Sequence, residues 1–287
     1  MKPKVSVVIC FYNGAAFMRE ALASVLKQTF TEWELVLVDD GSTDESTAIA
    51  RNFADADRRV RYVTHPGHGN RGLAESRVLG SDAACGEYLL FLDHDDVLHP
   101  DGLERLAGVL DAHPQAAAVF AATCFWESPA TGESKKHIQT FAPLSSGMIR
   151  GRHFLRRLIM SDAHHPTVCS TMFRRPAFNA ARDRAPVWPD IYEDTALLLK
   201  LTAAHDIYLL DAPVSDYRVH GASMSYMMPR DFGGFLRWAA CEIPMDAVSR
   251  AVLHARRMMF ELGRTVQAVK ATVGRVLRRP QRPARSD

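Results

Sequence analysis

Three apolar runs, Val5–Cys10, Trp33–Val38 and Tyr88–Leu92, constrain what this chain can fold into more than any other feature. Each has the length of a strand. Each stops abruptly at polar residues: Phe11-Tyr12-Asn13-Gly14, Asp39-Asp40 and Asp93-His94-Asp95-Asp96. A continuous apolar run marks a strand covered on both faces, the situation of a central parallel strand. Segments of helical period lie between the runs. Ala15–Gln28 places Phe17, Ala21, Leu22, Val25 and Leu26 on one face, and further helices are expected to about Ala56 and over about Leu73–Ala84. Ser42 or Thr43 suits the cap of the second helix. Val60–Thr64 fits a short third strand. Strands alternating with helices predict an α/β fold with a doubly wound, mostly parallel sheet, whose ligand sits outside the carboxyl ends of the strands.

Those ends carry the chemistry. Asp93, Asp95 and Asp96 crowd like charges, which raises their cost unless something neutralises them. A hard divalent cation, Mg2+ or Mn2+, takes carboxylate oxygens and relieves that repulsion. The bland alternative is a polar strand end with a helix cap; three acids directly after a buried strand favour the metal site. There is no Gly-x-Gly-x-x-Gly after the first strand and no Gly-x4-Gly-Lys-Ser/Thr in the chain, so a glycine loop is not what holds phosphates here.

Further along, Pro100–Ala112 reads as a helix and Ala116–Trp126 as a strand. Glu127–Thr140 reads as a surface loop or hairpin, Gly151–Ile159 as a helix and Val168–Phe173 as a strand. Pro186–Glu193 is an aromatic and acidic loop. Glu193-Asp194 opens a helix over Thr195–Ala204; acids in a first turn either complement the dipole or do chemistry. Ile207–Leu210 and Val214–Val219 read as two short strands before His220-Gly221.

Composition places the chain among ordinary globular proteins: 47% hydrophobic and 24% charged over 287 residues. No apolar run has the length of a bilayer span. Met1–Lys4 followed by Val5–Phe11 imitates a leader weakly but lacks a small-residue cleavage site. Five scattered cysteines without zinc spacing predict reduced, mostly buried thiols and a cytoplasmic setting. Charge is uneven. From Arg250 onward ten Lys or Arg face two acids, whereas the rest of the chain is net acidic, with 25 basic against 31 acidic residues. In that tail Val248, Val252, Ala255, Met259, Leu262, Val266, Val269, Val273 and Val276 form one helical stripe among basic residues. The stripe has three readings: packing on the protein's own body, lying on an anionic membrane, or a coiled-coil contact.

The motifs Val5–Asn13, Val38-Asp39-Asp40-Gly41-Ser42-Thr43-Asp44, Gly86–Asp96, Glu193-Asp194 and Asp216-Tyr217-Arg218-Val219-His220-Gly221-Ala222-Ser223-Met224-Ser225, in that order, resemble family 2 glycosyltransferases of the GT-A fold. The resemblance covers about residues 4 to 226. It implies residues 1–226 as a GT-A catalytic domain, with 1–112 as the nucleotide-sugar half and 113–226 as the acceptor half; 227–287 is outside it and reads from its period and charge as a helical basic extension. It implies inverting transfer of a sugar from a nucleotide diphosphate donor, UDP-linked by preference, to a hydroxyl of a saccharide or lipid-linked saccharide acceptor. By position, Phe11 and Tyr12 would line the base pocket, Asp40 would contact base or ribose with Asp39 beside it, and Arg77 would assist. Asp93 would touch the ribose, Asp95 would bind the cation, Asp194 would be the general base, and His220 would close over metal or diphosphate. Cell-surface polysaccharide synthesis, a peripheral place on the inner membrane face and no nucleic-acid partner follow from the same resemblance.

The chain departs from that pattern at Cys10 in place of Pro, Val78 in place of Asn, and His94 within the acidic cluster. Gly234 replaces the Gln of the processive Gln-x-x-Arg-Trp motif ahead of Arg237-Trp238, which points to a non-processive enzyme. Acidic strand ends also build receiver modules and metal-dependent phosphohydrolases or nucleotidyltransferases. A receiver would need a Lys on a late strand and about half this length.

Overall fold

The computed structural model describes residues 2–127, 134–160, 165–182, 193–221 and 232–260. Its amino-terminal half is the expected alternation: β1 (Val5–Phe11), α1 (Ala15–Leu26), β2 (Trp33–Asp39), α2 (Ser46–Ala56), β3 (Val60–Thr64), α3 (Leu73–Ala83) and β4 (Tyr88–Phe91). β1 pairs parallel with both β2 and β4, and β2 pairs parallel with β3. The three polar strand ends therefore share one rim.

Residue alternation sorts the core into two layers. Val8, Cys10, Val36, Val38, Leu89 and Phe91 pack on one face of the sheet. Val5, Val7, Ile9, Leu35, Leu37 and Leu90 pack on the other, against Met18, Leu22 and Val25 of α1. Side chains of a strand alternate between faces, so an unbroken apolar run serves both layers at once. Each fully buried aliphatic side chain contributes roughly 1.5–3 kcal/mol before entropy is counted. α3 sits close on the first layer: a Cβ at Gly80 would lie 2.4 Å from Val8 Cγ1.

The second half continues the same sheet with β5 (Val97–Leu98), α4 (Gly102–Ala112), β6 (Ala118–Glu127), β7 (Lys135–Gln139), β8 (Gly147–Ile149), α5 (Gly151–Met160), β9 (Thr171–Arg174), α6 (Arg175–Arg182), α7 (Glu193–Ala204) and β10 (Ile207–Val219). The order is β3-β2-β1-β4-β9-β6-β10-β5, with β7 on β6 and β8 on β10. β9 runs antiparallel between β4 and β6, while β6 and β10 are parallel.

Several details differ from expectation. Residues 168–170 form a 3-10 turn, so β9 starts at Thr171. The helix α6 follows β9 directly, with Pro176 in its first turn, where its missing N–H costs nothing. The two short strands before His220 are one strand, bulged between Leu210 and Pro213 and again between Pro213 and Asp216. Within the stretch read as a loop or hairpin, Lys135–Gln139 forms β7, antiparallel to β6. The helix α2 starts at Ser46, with no side-chain cap from Ser42 or Thr43. The loop 186–192 lies outside the described residues. All five cysteines are free; Cys10, Cys124 and Cys169 are buried, and Cys85 and Cys241 are exposed.

After α8 (Phe232–Glu242) a last described helix spans 247–260. It is tied down by Arg156, which donates to Asp246 Oδ2 at 2.8 Å and to Ser249 Oγ at 3.1 Å. That orientation buries Ser249 and Leu253, packs Val252 on the core and leaves Val248, Ala255 and Met259 of the stripe exposed. Val248 is 55% exposed, Met258 52% and Met259 45%. In the described part, packing of the stripe on the protein's own body therefore holds for Val252 and not for Val248, Ala255 or Met259. Leu262 and the residues after it lie outside the described residues.

Candidate active site

The rim is assembled by bonds between loops far apart in the chain. Asn13, with φ of 53°, turns its side chain so that Oδ1 accepts from Thr43 N at 2.8 Å. Gly14 N donates to Ser46 Oγ at 2.8 Å, which joins the β1–α1 turn to the start of α2. The His94 ring lies directly on this turn, and a Cβ at Gly14 would meet His94 Cδ2 at 2.3 Å. Of the aromatic pair, Phe11 is 2% exposed and belongs to the core, so it has no free face for a ligand; Tyr12, at 48%, does.

The paired acids after β2 are structural as well as polar. Asp39 accepts from Ser42 N at 2.8 Å, Thr47 Oγ1 at 2.5 Å and Tyr62 Oη at 2.9 Å. Asp40 accepts from Arg71 N at 2.7 Å and Gly72 N at 2.9 Å, holding the loop that leads into α3.

Arg77 points from α3 into the centre of the site. It donates to Asp93 Oδ1 at 2.9 Å and to Glu193 Oε1 at 2.6 Å. Burial works against its charge, but Asp93, Glu193 and Asp194 outweigh burial and raise its pKa. One guanidinium is not enough for three carboxylates. Burial pushes the Glu193 carboxyl up to about 7; Arg77 opposes this, and Asp194 adds to it. Asp194 Oδ1 accepts from Thr195 N at 2.5 Å in the first turn of α7. It borders a largely apolar cavity of about 50 Å³ whose wall includes Phe91, Phe178 and Leu197.

At the other end of the acidic turn, His220 Nε2 lies 2.9 Å from Asp95 Oδ2, and its ring packs on Phe17 at 4.5 Å between centroids. Two residues earlier on β10, Arg218 is 4% exposed. Its Nε donates to Asp95 O at 2.7 Å and its backbone N to Asp96 Oδ1 at 2.8 Å, while its guanidinium stacks on Trp126 at 3.9 Å. Asp96 is tied to the backbone of Arg218. It is buried, its Oδ2 has no hydrogen-bond partner, and burial together with Asp93 and Asp95 holds its pKa well above the usual range. Arg218 was missed as a site residue by sequence reasoning. The period of two along a strand, which puts positions 218 and 220 on one face, was the available signal.

No group of three or more His, Cys, Asp or Glu able to hold a metal occurs among the described residues. Asp95 and His220 supply a carboxylate and an imidazole side by side. That donor set fits a cation that takes its remaining ligands from substrate phosphates and water, as Mg2+ commonly does; the imidazole suits transition metals.

The glycosyl transferase family 2 model matches residues 6–181, more than half of the chain. The chain belongs to this family. It is 29% identical over 231 residues, 80% of its length, to an uncharacterized glycosyltransferase of Rickettsia felis. It is 33% identical over 173 residues, 60% of its length, to the uncharacterized glycosyltransferase YibD of Escherichia coli. It spans 35% and 48% of the length of these two relatives. Among solved structures it resembles S. aureus TarS residues 1–349 in complex with UDP-GlcNAc, with TM-score 0.68 and 21% identity over 90% of this chain and 73% of that one. It also resembles the mannosyltransferase PcManGT of Pyrobaculum calidifontis in complex with GDP-Man and Mn2+, with TM-score 0.56 and 18% identity over 90% of this chain and 70% of that one. At these identities the likeness concerns the fold, which is the GT-A arrangement of a family 2 glycosyltransferase. No described helix is long and apolar enough to cross a membrane.

Proposed function

We propose that this family 2 glycosyltransferase moves a sugar from a nucleotide diphosphate donor to a hydroxyl acceptor, with inversion and with a divalent cation. The observation that carries the reading is the convergence on one strand-end rim of two pairs from distant parts of the chain, Asp95 with His220 and Arg77 with Glu193 beside Asp194. A UDP-sugar is the favoured donor, supported by the UDP-GlcNAc complex of TarS.

Each residue has a task in this reading. Tyr12 offers its exposed ring to the base, and Asp40 holds the adjoining loop. Asp93 faces the ribose. Asp95 and His220 hold Mn2+ or Mg2+, which would stabilise the charge developing on the leaving diphosphate. Asp194 accepts the proton of the attacking hydroxyl. One displacement from the opposite face inverts the anomeric centre, so no second nucleophile is needed.

The chain then adds one sugar, or few, to a saccharide or lipid-linked acceptor of the cell surface. The exposed Val248, Met258 and Met259 on helix 247–260, with ten Lys or Arg from Arg250 onward, favour attachment to an anionic membrane face over the coiled-coil reading. The deciding experiment follows the melting temperature with Mn2+ and a panel of nucleotide sugars. A specific ligand of the folded state raises it; a panel in which no nucleoside diphosphate or nucleotide sugar does so rejects the proposal.

A further inference from the structure

The family pattern sets Arg77 beside the nucleotide, yet both of its terminal nitrogens are occupied by carboxylates from opposite sides of the site. One is Asp93, just past β4 in the donor half; the other is Glu193, the first residue of α7 in the acceptor half. The Arg77 and Glu193 side chains are 12% and 10% exposed. The helix carrying Arg77 has little freedom to shift, because Gly80 brings its backbone against Val8. Asp194 follows Glu193 directly and lies in the same helical turn. A fixed arginine thus holds the residue before the proposed base with one arm and the proposed ribose carboxylate with the other.

Stability alone does not account for this. Buried ion pairs lose much of their Coulombic gain to desolvation, and well-packed apolar groups often serve as well. Nor would lysine serve equally, since a planar fork with separate donors can span two carboxylates and a compact ammonium cannot do so with the same geometry.

We propose that Arg77 is a positioning residue, a buried strut that sets the spacing between donor and base by holding Asp93 and Glu193, and that Glu193 is its acceptor-side anchor. This rests on the glycosyl-transfer reading above. Arg77 acts through these carboxylates rather than on the nucleotide. Donor binding and turnover therefore depend on it differently: when the strut is cut the nucleotide would keep Tyr12 and the cation at Asp95 and His220 and lose no more than the Asp93 contact, while the base loses its placement. A misplacement of about 1 Å in such a constellation can cost on the order of a hundredfold in rate.

The test uses the full chain and three variants, Arg77→Lys, Glu193→Gln and both together. Affinity for UDP with Mn2+ is read by calorimetry. Turnover is read as nucleoside diphosphate released from the nucleotide sugar that the melting panel selects, at saturation. Either single variant should keep UDP affinity within about threefold and lose at least tenfold in kcat, and the double variant should lose little more than the worse single one. Losses that multiply in the double variant, or UDP affinity that falls with kcat intact, overturn the strut. Should Arg77→Lys not fold, Glu193→Gln decides: it is isosteric and strips the charge from one arm, leaving a weaker neutral hydrogen bond, and unchanged kcat overturns the proposal. A wild-type chain that binds no nucleotide sugar rejects the transferase reading and the strut with it; a wild-type chain that turns over donor, beside a fully active Glu193→Gln, rejects the strut alone.

Discussion

His220 and Asp95 are separated by 125 positions in the chain, yet His220 Nε2 lies 2.9 Å from Asp95 Oδ2. Arg218 secures the meeting from behind by holding the carbonyl of Asp95. A cation seated there ties the end of β10 to the acidic turn. At a hundred times its dissociation constant, a ligand that binds only the folded state adds about 2.7 kcal/mol. For a chain of this size that is roughly 5–10 °C in Tm. Mn2+ with UDP should give a shift of that order, and Asp95→Ala and His220→Ala should each abolish the part due to Mn2+. A full Mn2+ shift in either variant would place the ion elsewhere.

Asp194 borders the cavity next to Glu193 and accepts from its own helix turn. Asp194→Asn preserves shape and that hydrogen bond but removes the proton acceptor. Transfer should fall by about 10²–10⁴-fold, the range that general base catalysis supplies, with UDP affinity unchanged within a factor of two. A variant that still transfers at a tenth of the normal rate would move the base to another residue.

Gly14 has no room for a methyl group because of the His94 ring. Gly14→Ala should destabilise by about 1–3 kcal/mol, the usual cost of overpacking. Adding His94→Ala should recover most of that loss, because the clash is with this ring. Urea denaturation of the single and double variants measures the coupling; additive effects would mean the turn moves instead.

Asp216 is buried, which by itself raises a carboxyl pKa, but hydrogen bonds from His99, Lys136 and Cys124 together outweigh burial and hold it far below the usual carboxylate range. A folded-state pKa below the unfolded value favours the native state wherever the unfolded group is ionised. That contribution is present above about pH 4 and drains away as the pH falls through the lower folded value. Thermal melts between pH 6 and pH 2 should show the loss in the wild type, and Asp216→Asn should flatten the acid end of the curve. Equal acid sensitivity in both proteins would assign the effect to other carboxylates.

Helix 247–260 presents Met258 and Met259 to solvent. Met258→Glu with Met259→Glu should leave Tm within about 1 °C, since exposed positions away from packed features change stability little. Pelleting with vesicles containing phosphatidylglycerol should fall several-fold. Unchanged pelleting would assign membrane contact to another surface.

The amino-terminal half was legible because its rules are local. Val5–Cys10, Trp33–Val38 and Tyr88–Leu92 are buried on both faces, and their unbroken apolar runs record it. The carboxyl-end acids were legible for the same reason. What escaped depends on partners distant in sequence. Pro213 and the bulges of β10 read as an interruption, because pairing with β6 carries the strand past them. Nothing in the acidic run marks Asp96 as its buried member, bonded to the backbone N of Arg218. The stripe from Val248 to Met259 was read correctly as amphipathic, but Arg156 decides which face turns inward. Nothing near residue 248 encodes that choice.

The placement of β9 bears on how the chain is made. β4 ends at Phe91 and β6 at Glu127, yet the strand between them comes from residues 171–174. A chain emerging from its amino end can complete β1 to β4 early, from short-range parallel units. β4 and β6 then wait for some fifty more residues before the edges facing each other are closed. Unpaired strand edges are where growing chains associate wrongly. The time between synthesis of Glu127 and Arg174 is therefore the interval in which this protein most needs a chaperone, and slowing synthesis there should lower its soluble yield more than slowing it before Tyr88.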